Sequence, residues 1–169
     1  MQASSEPKMF KVERIDGMCV VVKNLERSVE TYWKTLGLGP WRIYRFVPPN
    51  LTNTKVRGKP ANYTFRIALH KVGSLQYELI QPLEGSSIYK EFLEKRGEGL
   101  QHIQTLFTDM ESVEKILKTS RENGIEVIQS GQYNDDIFFY LGTEAILGTV
   151  YEVVKGGNLG TPEAIYPPP

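Results

Sequence analysis

Apolar positions along this chain switch between a strand-like and a helix-like period, and the order of the switches repeats. Glu13–Val22 carries an apolar run suited to a buried strand. Asn24 offers an N-cap, and Leu25, Val29, Tyr32, Trp33 and Leu36 recur at helical spacing until Gly37 stops the run. Tyr32 and Trp33 are expected in the core. Pro40–Val47 is rich in aromatic and β-branched residues and predicts a second strand. Residues 48–62 hold three prolines and no apolar period, which predicts a long loop. Tyr63–Val72 and Leu75–Gln81 flank Gly73-Ser74, a two-residue turn suited to a hairpin.

A connector follows, in which Ser86 or Ser87 caps a short helix that buries Ile88, Phe92 and Leu93 and ends at Gly97. The plan then repeats. Leu100–Thr108 reads as a strand, and Asp109 caps a helix burying Met110, Val113, Ile116 and Leu117 that stops at Asn123-Gly124. Ile125–Gln129, Ile137–Leu141 and Thr149–Lys155 read as three further strands. After Gly156-Gly157 the tail, with Tyr166 and three final prolines, predicts an extended arm. Each half is thus strand, helix, three strands. Helices can cover one face of each sheet while the two free faces curl around a common cavity. The predicted class is α+β, with two tandem βαβββ modules forming a curved mixed sheet. The expected division is an arm at 1–12, a first module at 13–84, a helical connector at 85–98, a second module at 99–155 and a tail at 156–169, one domain overall.

The repeat extends to chemistry. Tyr77-Glu78-Leu79-Ile80 is echoed by Tyr151-Glu152-Val153-Val154, and in each a carboxylate interrupts an apolar run. Burying such a charge unpaired costs several kcal/mol. A metal or a substrate explains the pattern, and so does pairing with arginines or solvation in a groove. Ile15–Val22 before Asn24-Leu25 likewise parallels Leu100–Phe107 before Asp109-Met110.

Composition narrows the field. The 169 residues are 40% apolar and 24% charged with zero formal net charge, so no global field favours nucleic acid or an anionic membrane. The one cysteine, Cys19, excludes an intramolecular disulfide and suits a reducing cytosol. Met1–Glu6 is polar, unlike a signal peptide, and no stretch approaches the roughly 18 apolar residues of a membrane span. A cytoplasmic location is expected. Gly37-x-Gly39 and Gly97-x-Gly99 read as turns rather than a phosphate-cradling loop. No serine sits in a nucleophile elbow, and no Cys/His cluster suggests structural zinc.

Several segments carry a family resemblance. They are Val22-Lys23-Asn24-Leu25-Glu26-Arg27-Ser28, Leu36-Gly37-Leu38-Gly39-Pro40, Tyr77–Leu83, Gly97–Ile103 and Leu147–Glu152. In that order they resemble the vicinal oxygen chelate superfamily, the fold of glyoxalase I, extradiol dioxygenases, methylmalonyl-CoA epimerase and bleomycin-resistance proteins. Gly97–Ile103 is most similar to epimerase-like members. The fold hosts many chemistries, so the resemblance speaks more to architecture than to reaction. It implies one metal ligand on the first and one on the last strand of each module, at Gly17, Glu78, His102 and Glu152. Gly17 has no side chain to offer.

Glu78, His102 and Glu152 form a donor set suited to Mn, Fe, Co, Ni or Zn, with water in the remaining positions. Water is the simplest occupant of the Gly17 place. His70 faces Tyr77 across the hairpin and points away from Glu78. Cys19 shares parity with Gly17, as a thiolate ligand or as a small buried hydrophobe. The resemblance implies a metal-dependent isomerase, epimerase or lyase that abstracts a proton beside a carbonyl, with Glu152 or Glu78 as base and a small acyl or carbonyl substrate. Gln76, by parity with Glu78, and the loop cations Lys55, Arg57 and Lys59 are the expected substrate contacts; a solvated loop is the alternative for the cations. Arg42, Tyr44 and, less favourably, Arg66 are strand residues that can line the cavity. A homodimer is expected from the resemblance, and a metal-free sequestering protein of the same fold is the alternative function. A dioxygenase fits less well, because two histidines and one carboxylate would be expected.

Overall fold

The computed structural model describes residues 9–168, and Met1–Glu6 lies outside them. The first half runs β1 (Gly17–Val21), α1 (Leu25–Leu36), β2 (Trp41–Phe46), β3 (Leu51–Val56), β4 (Lys59–Pro60), β5 (Phe65–Val72) and β6 (Leu75–Pro82). The connector helix α2 (Ile88–Arg96) follows. The second half runs β7 (Gly99–Phe107), α3 (Met110–Glu122), β8 (Val127–Tyr133), β9 (Asp136–Leu141), α4 (Glu144–Leu147) and β10 (Val150–Lys155), and the tail adds β11 (Ala164–Tyr166).

All strands join one curved mixed sheet in the order β11-β2-β5-β6-β1-β7-β10-β9-β8-β3-β4. β1 and β7 pair antiparallel at its centre, with β6 parallel to β1 and β10 parallel to β7. The halves β2-β5-β6-β1 and β7-β10-β9-β8 are therefore mates about a pseudo-twofold axis between β1 and β7. This is the α+β architecture of two βαβββ modules. Local signals set the helix starts: Asn24, Ser87 and Asp109 each accept a backbone N–H of the first turn, from Arg27, Lys90 and Ser112.

α1 packs Leu25 and Val29 on Val22, Trp41, Ile43, Ala68 and Leu79, covering the outer face of the first half. α3 packs Val113 on Leu141, Tyr151 and Val153, covering the outer face of the second. Each such aliphatic side chain contributes about 1.5–3 kcal/mol on burial. The two inner faces share one core that runs from Tyr44, Phe46, Phe65 and Ile80 to Tyr133, Phe138, Tyr140 and Val154. No helix among the described residues is long and apolar enough to cross a membrane.

Four expectations are corrected. Residues 48–62 are not a plain loop, because Leu51–Val56 forms β3 and pairs with β8 at the far edge of the sheet. Thr52, Thr54 and Val56 supply β-branched residues, and Pro60 sits on the terminal strand β4, where a missing N–H costs no ladder bond. Because β2 lies near one edge and β3 near the other, Val47–Asn50 straps the mouth of the curve, and Phe46 stacks on Tyr133 at 3.9 Å. The tail does not hang free: β11 pairs with β2, and Glu163 meets Arg45 and Arg66. Trp33 is 38% exposed: Tyr32, not Trp33, packs with Leu25 and Val29, and position 33 lies at the rim of their stripe, about 80° round the helix from Leu25. The first strand is shorter than Glu13–Val22, beginning at Gly17.

Candidate active site

The pseudo-twofold axis brings four inward-facing positions of β1 and β7 into a square. Gly17 lies opposite Gln104, and Cys19 lies opposite His102. On the outer sides Gly17 pairs with Gln76 and Cys19 with Glu78 in β6, while Glu152 of β10 pairs with Gln104. By symmetry Gly17 is the mate of His102, and Cys19 the mate of Gln104. Period-2 alternation then aims Gln76, Glu78, His102, Gln104, Cys19 and Glu152 at one space.

The place left by Gly17 holds protein rather than water. A Cβ at this position would stand 2.2 Å from Nε2 of Gln104 and 2.8 Å from its Cγ, so the Gln104 side chain fills that volume. Its Nε2 donates to Glu78 Oε1 at 2.5 Å, and Gln76 Nε2 donates to the same oxygen at 2.7 Å. Two amides thus fix one oxygen of Glu78 and leave the other free. It is this second oxygen, Oε2, that faces His102 Nε2, at 3.6 Å.

His102 is fully buried, and its Nδ1 donates to Gln101 Oε1 at 2.5 Å. That bond leaves Nε2 directed between the glutamates, free to carry a proton or to bind a metal, as in metal-binding histidines oriented by a second shell. Glu152 Oε2 lies 3.1 Å from Nε2, and both atoms are buried with no hydrogen-bond partner. Two acceptors at that distance require a proton or a cation between them. A first-row dication about 2.1 Å from its donors sets neighbouring donors roughly 3.0–3.4 Å apart; the 3.1 Å separation falls in that range and the 3.6 Å separation lies just beyond it. Cys19 Sγ, a Glu78 oxygen and a His102 nitrogen also lie within 4.8 Å of one another. Neither glutamate meets an arginine or lysine among the described residues.

The electrostatics follow from burial. Desolvation raises the Glu152 carboxyl, against the opposing pull of His102. Burial works to lower His102, but Cys19 and Glu152 more than offset it and hold the imidazole well above its ordinary range. Burial pushes the Cys19 thiol up to about 11. Asp136, at the start of β9, is pushed up to about 7 by burial and by Glu152, against the N–H of Gly157.

The cavity between the glutamates is about 40 Å³, lined by Phe46, Phe65, Phe138 and Tyr140 besides Gln76, Glu78, Gln104, Asp136 and Glu152. That is room for an ion and about two waters, or for the reacting end of a small molecule. Leu69, Gln76 and Leu159 are shared with an outer vestibule of about 300 Å³ that also carries Arg42, Tyr44, His70 and Lys71. Arg42 pairs in register with Leu69, and Lys71 with Gln76, so both follow the cavity parity.

The structure thus brings Glu78, His102, Glu152 and Gln76 together, and places Lys55, Arg57 and Lys59 elsewhere. Those three are exposed on the β3–β4 hairpin at the sheet edge, line neither cavity nor vestibule, and Arg57 is engaged by Glu91 at 2.7 Å. His70 lies across from Tyr77, bonds to Pro40 O and packs on Trp41. Arg66 is taken by Glu26 and Glu163. Sequence reasoning missed Gln104, Asp136 and Lys71. Only parity with His102 and with Gln76 could have marked Gln104 and Lys71, and nothing local marks Asp136.

Residues 17–140 match the Glyoxalase/Bleomycin resistance protein/Dioxygenase superfamily. No curated protein matches the chain. Among solved structures it is similar to methylmalonyl-CoA epimerase from Mycobacterium tuberculosis, with a TM-score of 0.61, 21% identity, and coverage of 85% of this chain and 88% of that one. A hypothetical protein from Bacillus halodurans C-125 gives 0.60 at 22% identity over 87% and 96% of the two chains. A methylmalonyl-CoA epimerase in complex with methylmalonyl-CoA and NH4+ gives 0.58 at 22% identity over 88% and 98%. At such identities the structural likeness speaks to fold, and the family match covers most of the sequence: the chain belongs to the glyoxalase/bleomycin resistance/dioxygenase superfamily.

Proposed function

We propose that this protein is a metal-dependent isomerase, epimerase or lyase that abstracts a proton beside the carbonyl of a small acyl or carbonyl substrate. The carrying observation is the convergence of two buried glutamates on the unpartnered Nε2 of His102, in a cavity that no lysine or arginine lines among the described residues. Buried carboxylates without a cation are costly. A divalent ion among Glu78, His102 and Glu152 would neutralise them, polarise a substrate carbonyl and stabilise the developing enolate.

The chain's own residues divide the rest of the work. Gln76 and Gln104 orient Glu78, and Gln101 sets the His102 tautomer. Glu152, its carboxyl raised by burial, is the base, since a raised carboxyl is better matched to proton transfer near neutral pH. Asp136 is a second proton carrier on the same cavity, the element an epimerisation needs and a one-base lyase does not. Arg42 and Lys71 in the vestibule meet the anionic part of a substrate whose reacting end passes Gln76. The aromatic wall of Phe46, Phe65 and Phe138 keeps bulk water out. The solved epimerase bound to methylmalonyl-CoA makes that thioester the first compound to try.

The test has two parts. Protein purified without added metal is assayed for bound transition metals, before and after reconstitution. It is then incubated with methylmalonyl-CoA in deuterated water while exchange of the α-proton is followed by NMR. Substoichiometric metal with no gain on reconstitution would overturn the metal reading. Exchange that survives Glu152→Gln undiminished would overturn the assignment of the base.

A further inference from the structure

Resting on the metal-dependent reading above, we infer that Cys19 supplies the first-strand ligand that Gly17 lacks, so that the ion is held by Cys19 Sγ, Glu78 and His102 Nε2, with Glu152 beside it. Three observations meet here. Cys19 lies directly opposite His102 across the β1–β7 pair and directly opposite Glu78 across the β1–β6 pair, so both neighbours are carried to it by the sheet ladder. Its sulfur, a Glu78 oxygen and a His102 nitrogen lie within 4.8 Å of one another, and Cys19 and His102 are fully buried. Independently of the cysteine, His102 Nε2 is a buried atom without a hydrogen-bond partner, aimed into that same space.

The neighbouring positions explain why the ligand is displaced by two residues. Gln104 fills the volume at Gly17 and binds Glu78 from there, so a side chain at 17 has no room. Position 19 is the next on the same face of β1. The two amides on Glu78 Oε1 leave Oε2 as its donor, which makes this carboxylate a one-oxygen ligand. Coordination breaks the S–H bond, the proton passes to solvent, and the sulfur binds as thiolate. A ligand set of one sulfur, one nitrogen and one oxygen shifts preference from Mn toward Zn and Co(II).

Cobalt(II) chloride is the probe. Cys19 is the chain's sole cysteine, so a near-ultraviolet sulfur-to-cobalt charge-transfer band in the unmutated protein can arise from no other thiolate. One equivalent of Co(II) with that band is the expected result. In Cys19→Ser the band should vanish and the affinity for Co(II) and Zn(II) should fall by more than about tenfold, the least effect seen even for loss of an outer-shell partner. Cys19→Ala, which removes the sulfur without burying a new polar atom, guards against a folding artefact, with far-ultraviolet circular dichroism recorded on both variants. One equivalent of Co(II) without the band, and unchanged affinity in both variants, would overturn the cysteine ligand while leaving the metal reading standing. Failure to bind Co(II) or Zn(II) at all would overturn both.

Discussion

Gly17→Ala sets two effects of opposite sign against each other. Glycine to alanine in ordinary extended backbone stabilises by about 0.4–1 kcal/mol, because the unfolded chain loses freedom. At position 17 the new Cβ would stand 2.2, 2.8 and 2.9 Å from Nε2, Cγ and Cδ of Gln104. Gln104 is only 2% exposed, and the contact reaches back to Cγ, so the side chain has to leave as a whole. It takes with it the N–H that Glu78 accepts at 2.5 Å. A hydrogen bond to a carboxylate is worth about 1.5–3 kcal/mol, so the balance is a net loss of about 1–2 kcal/mol. For a chain of this size that lowers the Tm by roughly 2–8 °C. The assay is thermal and urea unfolding of metal-free protein in chelator, followed by circular dichroism. The same substitution is repeated in a Gln104→Ala background, where the Cβ has space and should be neutral or stabilising. A rise in Tm for Gly17→Ala alone, or equal costs in both backgrounds, would refute the claim that Gln104 fills this place. Gly17→His should not tighten metal binding by itself, but should do so when combined with Gln104→Ala.

Arg57→Ala should leave KM unchanged and cost less than about 1 kcal/mol, since its pair with Glu91 is exposed. Arg42→Ala and Lys71→Ala should instead raise KM for an anionic substrate at nearly constant kcat; the opposite ranking in steady-state kinetics would return the substrate contacts to the hairpin. Asp136 is pushed up to about 7 from an ordinary value near 3.9, so the native state keeps a proton that the unfolded chain releases from about pH 4 upward. Its contribution to stability is present in full below about pH 4 and is lost as pH rises through 7. The Tm difference, Asp136→Asn minus unmutated, should therefore grow from pH 4 and level off above 7 in metal-free protein, whereas a flat difference would count against a buried Asp136. Adding Zn(II) at about 100 times its Kd should stabilise the fold by about 2.7 kcal/mol, read as a rise in Tm that chelator reverses.

What lay in the chain's linear order was the repeated alternation of periods and the local punctuation. Asn24, Ser87 and Asp109 cap helices because a short polar side chain satisfies backbone N–H groups within its own turn, an interaction no distant residue has to complete. The echo of Glu78 in Glu152 was legible for the same reason: a carboxylate inside an apolar strand is conspicuous wherever that strand lies. Parity along a strand is also local, so Gln76 could be assigned to the face of Glu78, and His70 to the other.

Pairing between distant strands decided the rest. Thr52, Thr54 and Val56 became a strand only because β8 offered an unpaired edge, and that moved Lys55, Arg57 and Lys59 away from the cavity mouth. Arg42 and Lys71 took the vestibule because their partners in the ladder, Leu69 and Gln76, face inward. The site itself depends on the antiparallel register of β1 on β7, which joins positions 87 and 83 residues apart. Opposing Gly17 to Gln104 and Cys19 to His102 turns a missing ligand into a filled space and a lone cysteine into a neighbour of histidine. A side-chain period can be read from one segment, but register is a relation between two, and a shift of one residue would turn the shifted strand's side chains to the opposite face.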